Sequence, residues 1–102
     1  MAKDSLKAIF VAYNQAYNEE VLQELEKLGQ RGFTKWEGIY GRGTSDGEPH
    51  MGSHAWPIEN HAILAVVDGD KVDDMMDALR ALDDKYKDLG LRAYYWNIKG
   101  TI

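Results

Sequence analysis

Two histidines, His50 and His54, stand one helical turn apart in a stretch that also holds Met51, Glu48 and Glu59. Imidazole nitrogens ligate zinc, copper and nickel, and a thioether suits copper(I) or silver. The carboxylates add harder oxygen ligands. Gly52 interrupts the pair and the surrounding composition is that of a loop, so helical spacing does not by itself build a site. Loop histidines making ordinary hydrogen bonds fit the same residues. His61 follows close behind, where it either packs within a strand or completes a three-histidine site. The metal candidates are therefore His50, Met51, His54 and His61.

A second group is Gly41, Arg42, Gly43 and Trp56, the ligand-binding candidates. The planar guanidinium of Arg42 suits an anionic effector, or a simple pairing with Glu37 or Asp46. Glycines on either side let backbone approach a ligand closely. Trp56-Pro57 reads either as an anchor that folds the segment back or as an aromatic facing a partner. Met75 and Met76 fall on a helical apolar stripe and read as core. Asp73, Asp74, Asp77, Asp83 and Asp84 read as a solvated helix face. No nucleophile–base pair and no carboxylate pair at an informative spacing stands out, so no catalytic residue is named.

Both groups, apart from His61, lie in Gly41–Asn60, which carries four of the ten glycines and both prolines. It has neither a helical nor a strand period. A loop this long within a small domain is usually functional or disordered, and Trp56, Met51 and Ile58 argue against a solvated tether. The flanking segments are patterned. Leu6–Tyr13 is rich in β-branched and aromatic residues and reads as a buried strand. Asn18 is a candidate N-cap, followed by Glu19 and Glu20 in the first turn. Val21, Leu22, Leu25 and Leu28 form one helical stripe, and Gly29 is the natural stop. Phe33–Tyr40 reads as a second strand and His61–Val67 as a third. Val72, Met75, Met76, Leu79 and Leu82 make a second helical stripe, ending over Lys85–Gly90. Leu91–Ile98 reads as a fourth strand. The order β-α-β-β-α-β predicts an α+β, ferredoxin-like domain over residues 1–102, with both helices on one face of an antiparallel sheet. The other face is left bare, and alternate strand residues such as Trp36, Tyr40, Tyr94 and Trp96 sit on one face or the other. Such a face implies a partner, and a homo-oligomer is the expectation. Asn97 and Tyr95 point either to a subunit interface or to an inter-subunit cleft.

The 102 residues suffice for one modest core. Cysteine is absent, which excludes disulfides, thiolate zinc sites and a cysteine nucleophile. A net charge of −5 argues against a nucleic-acid surface. No apolar run approaches the ~20 residues of a membrane span, and no signal-like apolar region precedes the first strand. A soluble, cytoplasmic protein is the expectation.

The element order, the opening strand LKAIFVAY, the stretch Gly38-Ile39-Tyr40-Gly41-Arg42-Gly43 and the long loop after it resemble the PII-like signalling proteins. This superfamily comprises the nitrogen regulatory P-II proteins and also relates to the CutA-like trimers. The resemblance runs from Leu6 to about Ile98. It implies a trimer whose sheets pack into a common core, and a T-loop that docks onto transporters and enzymes. More narrowly, HMGSHAWP and YYWNI resemble a divergent group encoded beside heavy-metal efflux pumps. Two departures stand out. Family members carry a TGxxGDGK-type loop that holds ATP phosphates before the last strand, whereas Asp83–Gly90 has one glycine and three aspartates. That composition repels phosphate, and argues against ATP bound in the usual way. The tyrosine that is uridylylated in enteric members also has no clear match.

The leading reading is a trimeric regulator, not an enzyme. It senses a metal ion or a nucleotide at inter-subunit clefts and presents the 41–60 loop to a transporter or enzyme, by ligand-dependent ordering of that loop. For an efflux-linked member, copper, silver or zinc is the natural signal. The alternative is a small cofactor-free oxygenase or isomerase with Trp36, Tyr40, Trp96, His61 and Asn97 around a cavity. A third possibility is a purely structural trimer with the loop as a docking arm.

Overall fold

A computed structural model describes residues 6–39, 59–86 and 90–102. Strand β1 spans Lys7–Asn14, helix α1 Asn18–Lys27, β2 Thr34–Ile39, β3 Asn60–Val67, α2 Val72–Lys85 and β4 Arg92–Asn97. Single turns of 3-10 helix at Gln15–Tyr17 and Gly69–Lys71 lead into α1 and α2. The sheet order is β2-β3-β1-β4, with every pairing antiparallel. This is the ferredoxin-like arrangement expected from the element order.

The pairing register assigns each strand residue to a face, because strand side chains alternate. Ile9, Val11 and Tyr13 of β1 share the helix side with Ile63, Ala65 and Val67 of β3. There they join Val21 and Leu25 of α1 and Val72, Met75, Leu79 and Leu82 of α2 in one core cluster. Met75 is thus a core residue, as its helical stripe predicts. Helix α1 ends as its sequence suggests. Gly29 takes φ +74°, its N–H bonds to the Glu26 carbonyl at 3.0 Å, and the Gln30 N–H reaches back to the Leu25 carbonyl at 2.9 Å. This is a Schellman closure, which needs the left-handed residue that glycine supplies cheaply.

Among the described residues, no layer covers the opposite face. Its rows run Trp36, Ala62, Ala12, Arg92, then Thr34, Leu64, Phe10, Tyr94, then Val66, Ala8, Trp96. Trp36, Tyr94 and Trp96 all lie here and are about half exposed, while Ala8 and Ala62 between them are buried. Tyr95 and Asn97 fall on the helix side instead.

Local boundaries differ from the sequence reading in two informative places. Asn18 is not the cap. A 3-10 turn intervenes before α1, so Tyr17 takes the N-cap position of the helix without a side-chain cap bond, and Asn14 caps the 3-10 turn, its Oδ1 accepting the Ala16 N–H at 2.8 Å. In β2 the register shifts between Trp36 and Ile39, where Gly38 takes φ +64°. An uninterrupted strand over Phe33–Tyr40 was the expectation. A left-handed glycine inserts an extra residue and bends the edge strand instead.

Candidate functional site

Strands β2 and β3 are neighbours, and Ile39 faces Asn60 across the ladder. A two- to five-residue hairpin would close such a pair. The chain instead places the twenty residues Tyr40–Glu59 between them. The long insertion therefore leaves and rejoins the sheet at one end, and the described residues at that end form the site's base.

A small polar group is built there. The Tyr13 hydroxyl donates to Asn18 Oδ1 at 3.0 Å, and His61 Nδ1 lies 3.4 Å from the same oxygen. The Tyr13 and His61 rings meet edge to face at 5.8 Å. The register explains the meeting, since Tyr13 and His61 are direct partners and the 3-10 turn folds Asn18 back over them. Burial, with a smaller push from the Glu37 carboxylate, raises the Tyr13 phenol to about 12. Glu37 in turn pairs with Lys35 at 3.2 Å. Beside this group the Gln15 N–H donates to the Glu59 carbonyl at 2.8 Å, fixing the point where the insertion rejoins the sheet.

The segment leading to β4 starts from a second anchored point. Tyr86 leaves the helical conformation after α2, and its N–H still bonds to the Leu82 carbonyl at 3.0 Å. The buried Tyr17 hydroxyl donates to the Tyr86 carbonyl, with the two rings 5.0 Å apart. The Tyr86 hydroxyl reaches Glu20 at 3.4 Å. A cavity of about 190 Å³ lies between α2 and β4, lined by Arg80, Asp83 and Arg92 together with Met76, Leu79 and Leu91.

Of the residues singled out in the sequence, Gly41, Arg42, Gly43, His50, Met51, His54 and Trp56 lie outside the described residues, as do Glu48 and Tyr40. His61 is described and buried, with Tyr13 and Asn18 as its neighbours. Among the described residues no group of three histidine, cysteine, aspartate or glutamate side chains could hold a metal ion. The described residues suggested for an enzyme cavity are not brought together. Trp36 and Trp96 lie on the open face, whereas His61 and Asn97 lie on the helix side. His61 and Asn97 are also six residues apart along β1, about 20 Å of strand. The polar group of Tyr13, Asn14, Asn18 and the Tyr17–Tyr86 contact was not anticipated. Its signal was a buried-type aromatic, Tyr17, inside the otherwise polar turn NQAYN.

The acidic-segment argument against phosphate also changes. Asp83 and Asp84 belong to α2, so they are not loop residues at all. What remains between α2 and β4 is Tyr86-Lys87-Asp88-Leu89-Gly90-Leu91, with one lysine and one aspartate, so the acidic excess of the segment is gone.

No curated protein sequence matches the chain significantly. Solved structures do match its fold. CPII, a nitrogen regulatory PII-like protein from Thiomonas intermedia K12, bound to ADP, AMP and bicarbonate, is 15% identical with a TM-score of 0.72, over 95% of this chain and 93% of that one. The GlnK–ATP complex of B. subtilis is 20% identical with a TM-score of 0.72, over 97% and 86%. A DUF3240 family protein from Shewanella baltica OS155 is 14% identical with a TM-score of 0.70, over 96% and 97%. These relatives overturn the expectation of a transition metal ion (Cu, Ag or Zn) with ATP doubtful, since the ligands they hold are ADP, AMP and ATP. Nothing in what these relatives hold supports the further tie to heavy-metal efflux. The family model for nitrogen regulatory protein P-II matches residues 6–93, and the chain belongs to that family.

Proposed function

We propose that the chain is a single-domain regulator of the PII type, working as a homotrimer that responds to an adenine nucleotide. The nucleotide sits in clefts between subunits, and its occupancy changes what the 41–60 loop presents to a transporter or enzyme. The observation that carries this reading is the twenty-residue insertion between two paired strand ends, on a scaffold of the P-II family. A ladder that needs only a tight turn has no structural use for such a loop, and long loops on rigid scaffolds tend to carry function. The open sheet face supports assembly, because Trp36, Tyr94 and Trp96 form an apolar surface beside buried alanines that invites a close-packed partner. A second copy of the same face supplies one.

Within this reading Gly41, Arg42 and Gly43, at the start of the insertion, contact the anionic part of the nucleotide, and Trp56 serves the loop's docking surface. No helix among the described residues is long and apolar enough to cross a membrane, so a membrane transporter enters as partner and not as part of the chain.

Calorimetric titration with ATP, ADP and AMP, each with and without bicarbonate, tests the proposal. Micromolar binding of at least one nucleotide, weakened about tenfold by Arg42→Ala through loss of a charge-assisted contact, is the expected result. The absence of binding by all three nucleotides would remove the sensing half of the proposal.

A further inference from the structure

Residues Tyr13–Asn18, the seam between β1 and α1, are tied to both ends of the candidate site. On one side the Gln15 N–H holds the Glu59 carbonyl at 2.8 Å, and Asn18 Oδ1 faces His61 Nδ1 at 3.4 Å. Glu59 and His61 flank the point where the insertion rejoins the sheet. On the other side the Tyr17 hydroxyl donates to the Tyr86 carbonyl, and the Tyr17 ring packs on the Tyr86 ring. Tyr86 is the point where α2 hands over to the segment before β4. Between the two sets of contacts lies one turn of 3-10 helix, pinned by Asn14 Oδ1 on the Ala16 N–H.

We propose that Tyr13–Asn18 is a junction that couples the position of Tyr86 to that of Glu59, so that a change at either end of the site is felt at the other. Its use for nucleotide signalling rests on the reading above; its existence does not. The physical basis is a lack of slack. Tyr13 and Tyr17 are fully buried, at 0% and 1% exposure. A packed interior moves in discrete steps and does not absorb displacement smoothly. If the Tyr86 carbonyl shifts, the Tyr17 ring must follow or lose its hydrogen bond. Because Tyr17 is two residues from Gln15 in a single capped turn, the turn moves with it. The Gln15–Glu59 bond then stretches, and the Asn18–His61 contact moves in the same direction. The Tyr86 hydroxyl on Glu20 adds a second strut on the α1 side. Contiguity alone does not establish coupling, so each end must be perturbed and the far end read.

Amide hydrogen exchange by NMR on the free full-length protein does this. Tyr17→Phe removes one hydroxyl and keeps the ring. It is expected to speed exchange of the Gln15 amide about three- to tenfold, the worth of one hydrogen bond, while Ile9 and Val11 in the sheet centre stay within twofold. In the reverse direction, Asn18→Ala is expected to speed exchange of the Tyr86 amide, which bonds to Leu82. Should Ile9 and Val11 show that Tyr17→Phe unfolds the sheet, Glu20→Gln perturbs Tyr86 from a less buried site and is read at the same Gln15 amide. A far-end amide unchanged in both directions overturns the junction. Saturating wild-type protein with ATP is expected to slow Gln15 exchange by a similar factor. If no nucleotide binds, the proposed sensing fails while the free-protein comparison still decides the junction.

Discussion

Ile9 and Phe10 are consecutive residues of one strand, and the two faces they occupy have opposite fates. Ile9 points under the helices and is fully buried, whereas Phe10 points to the open face and keeps part of its surface in water. The helix face carries branched aliphatics with Met75 and Tyr13; the open face carries alanines, Phe10, Leu64 and three large aromatics. Both are apolar. What separates them is that α1 and α2 cover the first and nothing among the described residues covers the second. One face holds the subunit together, and the other is assigned to holding subunits to each other.

Substitutions at the two residues sharpen that contrast most. Ile9→Ala is expected to lower subunit stability by about 3 kcal/mol, since it leaves a cavity at the centre of the sheet. Phe10→Ala is expected to cost the isolated subunit about 1 kcal/mol or less, and to weaken association instead. Urea unfolding at several protein concentrations separates the two, because only a loss of assembly changes how the midpoint depends on concentration. Equal, concentration-independent losses at both positions would break the comparison.

Alkaline pH probes the helix face at its polar end. The Tyr13 phenol is raised to about 12 by burial and by Glu37, against about 10 for an exposed tyrosine. Between these values the unfolded chain loses the Tyr13 proton while the folded chain keeps it. The stabilisation from this group is therefore complete below about pH 10 and is lost as pH climbs through about 12, by about 2 to 3 kcal/mol. Tyr13→Phe should flatten that part of the unfolding profile between pH 9 and 12. An equally steep profile in the variant would show that another group causes it.

A small effect is also expected at Gly29, which closes α1. Gly29→Ala keeps ordinary van der Waals room, with only Lys71 Nζ 3.7 Å from the added Cβ, but must hold φ near +74°. Backbone strain should cost about 1 kcal/mol by thermal unfolding. A neutral substitution would mean that the Schellman closure is not strained by a side chain.

Much of this division was legible in the sequence. The helical stripes Val21–Leu25–Leu28 and Val72–Met75–Leu79–Leu82 and the apolar run of β3 are long, periodic signals, and they place both helices on one side. Tyr94 and Trp96 had to share a face because strands alternate. That Trp36 joins them was not readable, since it depends on how β2 is registered against β3. The polar junction was hidden for a similar reason. Asn14, Tyr17, Asn18 and His61 come together through one 3-10 turn and one strand pairing, neither of which has a strong local signature. The charge reading of Asp83–Gly90 failed because it counted helix residues as loop. Of the candidate site, His61 alone among the sequence-derived residues is described, and it belongs to the tyrosine–asparagine group.

Light scattering of the wild-type protein beside Trp96→Glu, at micromolar concentration, tests the central claim most directly. A wild-type mass of about 35 kDa, three times the 11.6 kDa of one chain, falling to a folded single subunit when a charge is placed on the open face, is the predicted result. A wild-type protein that runs as one subunit, with Trp36, Tyr94 and Trp96 left in water, would contradict it.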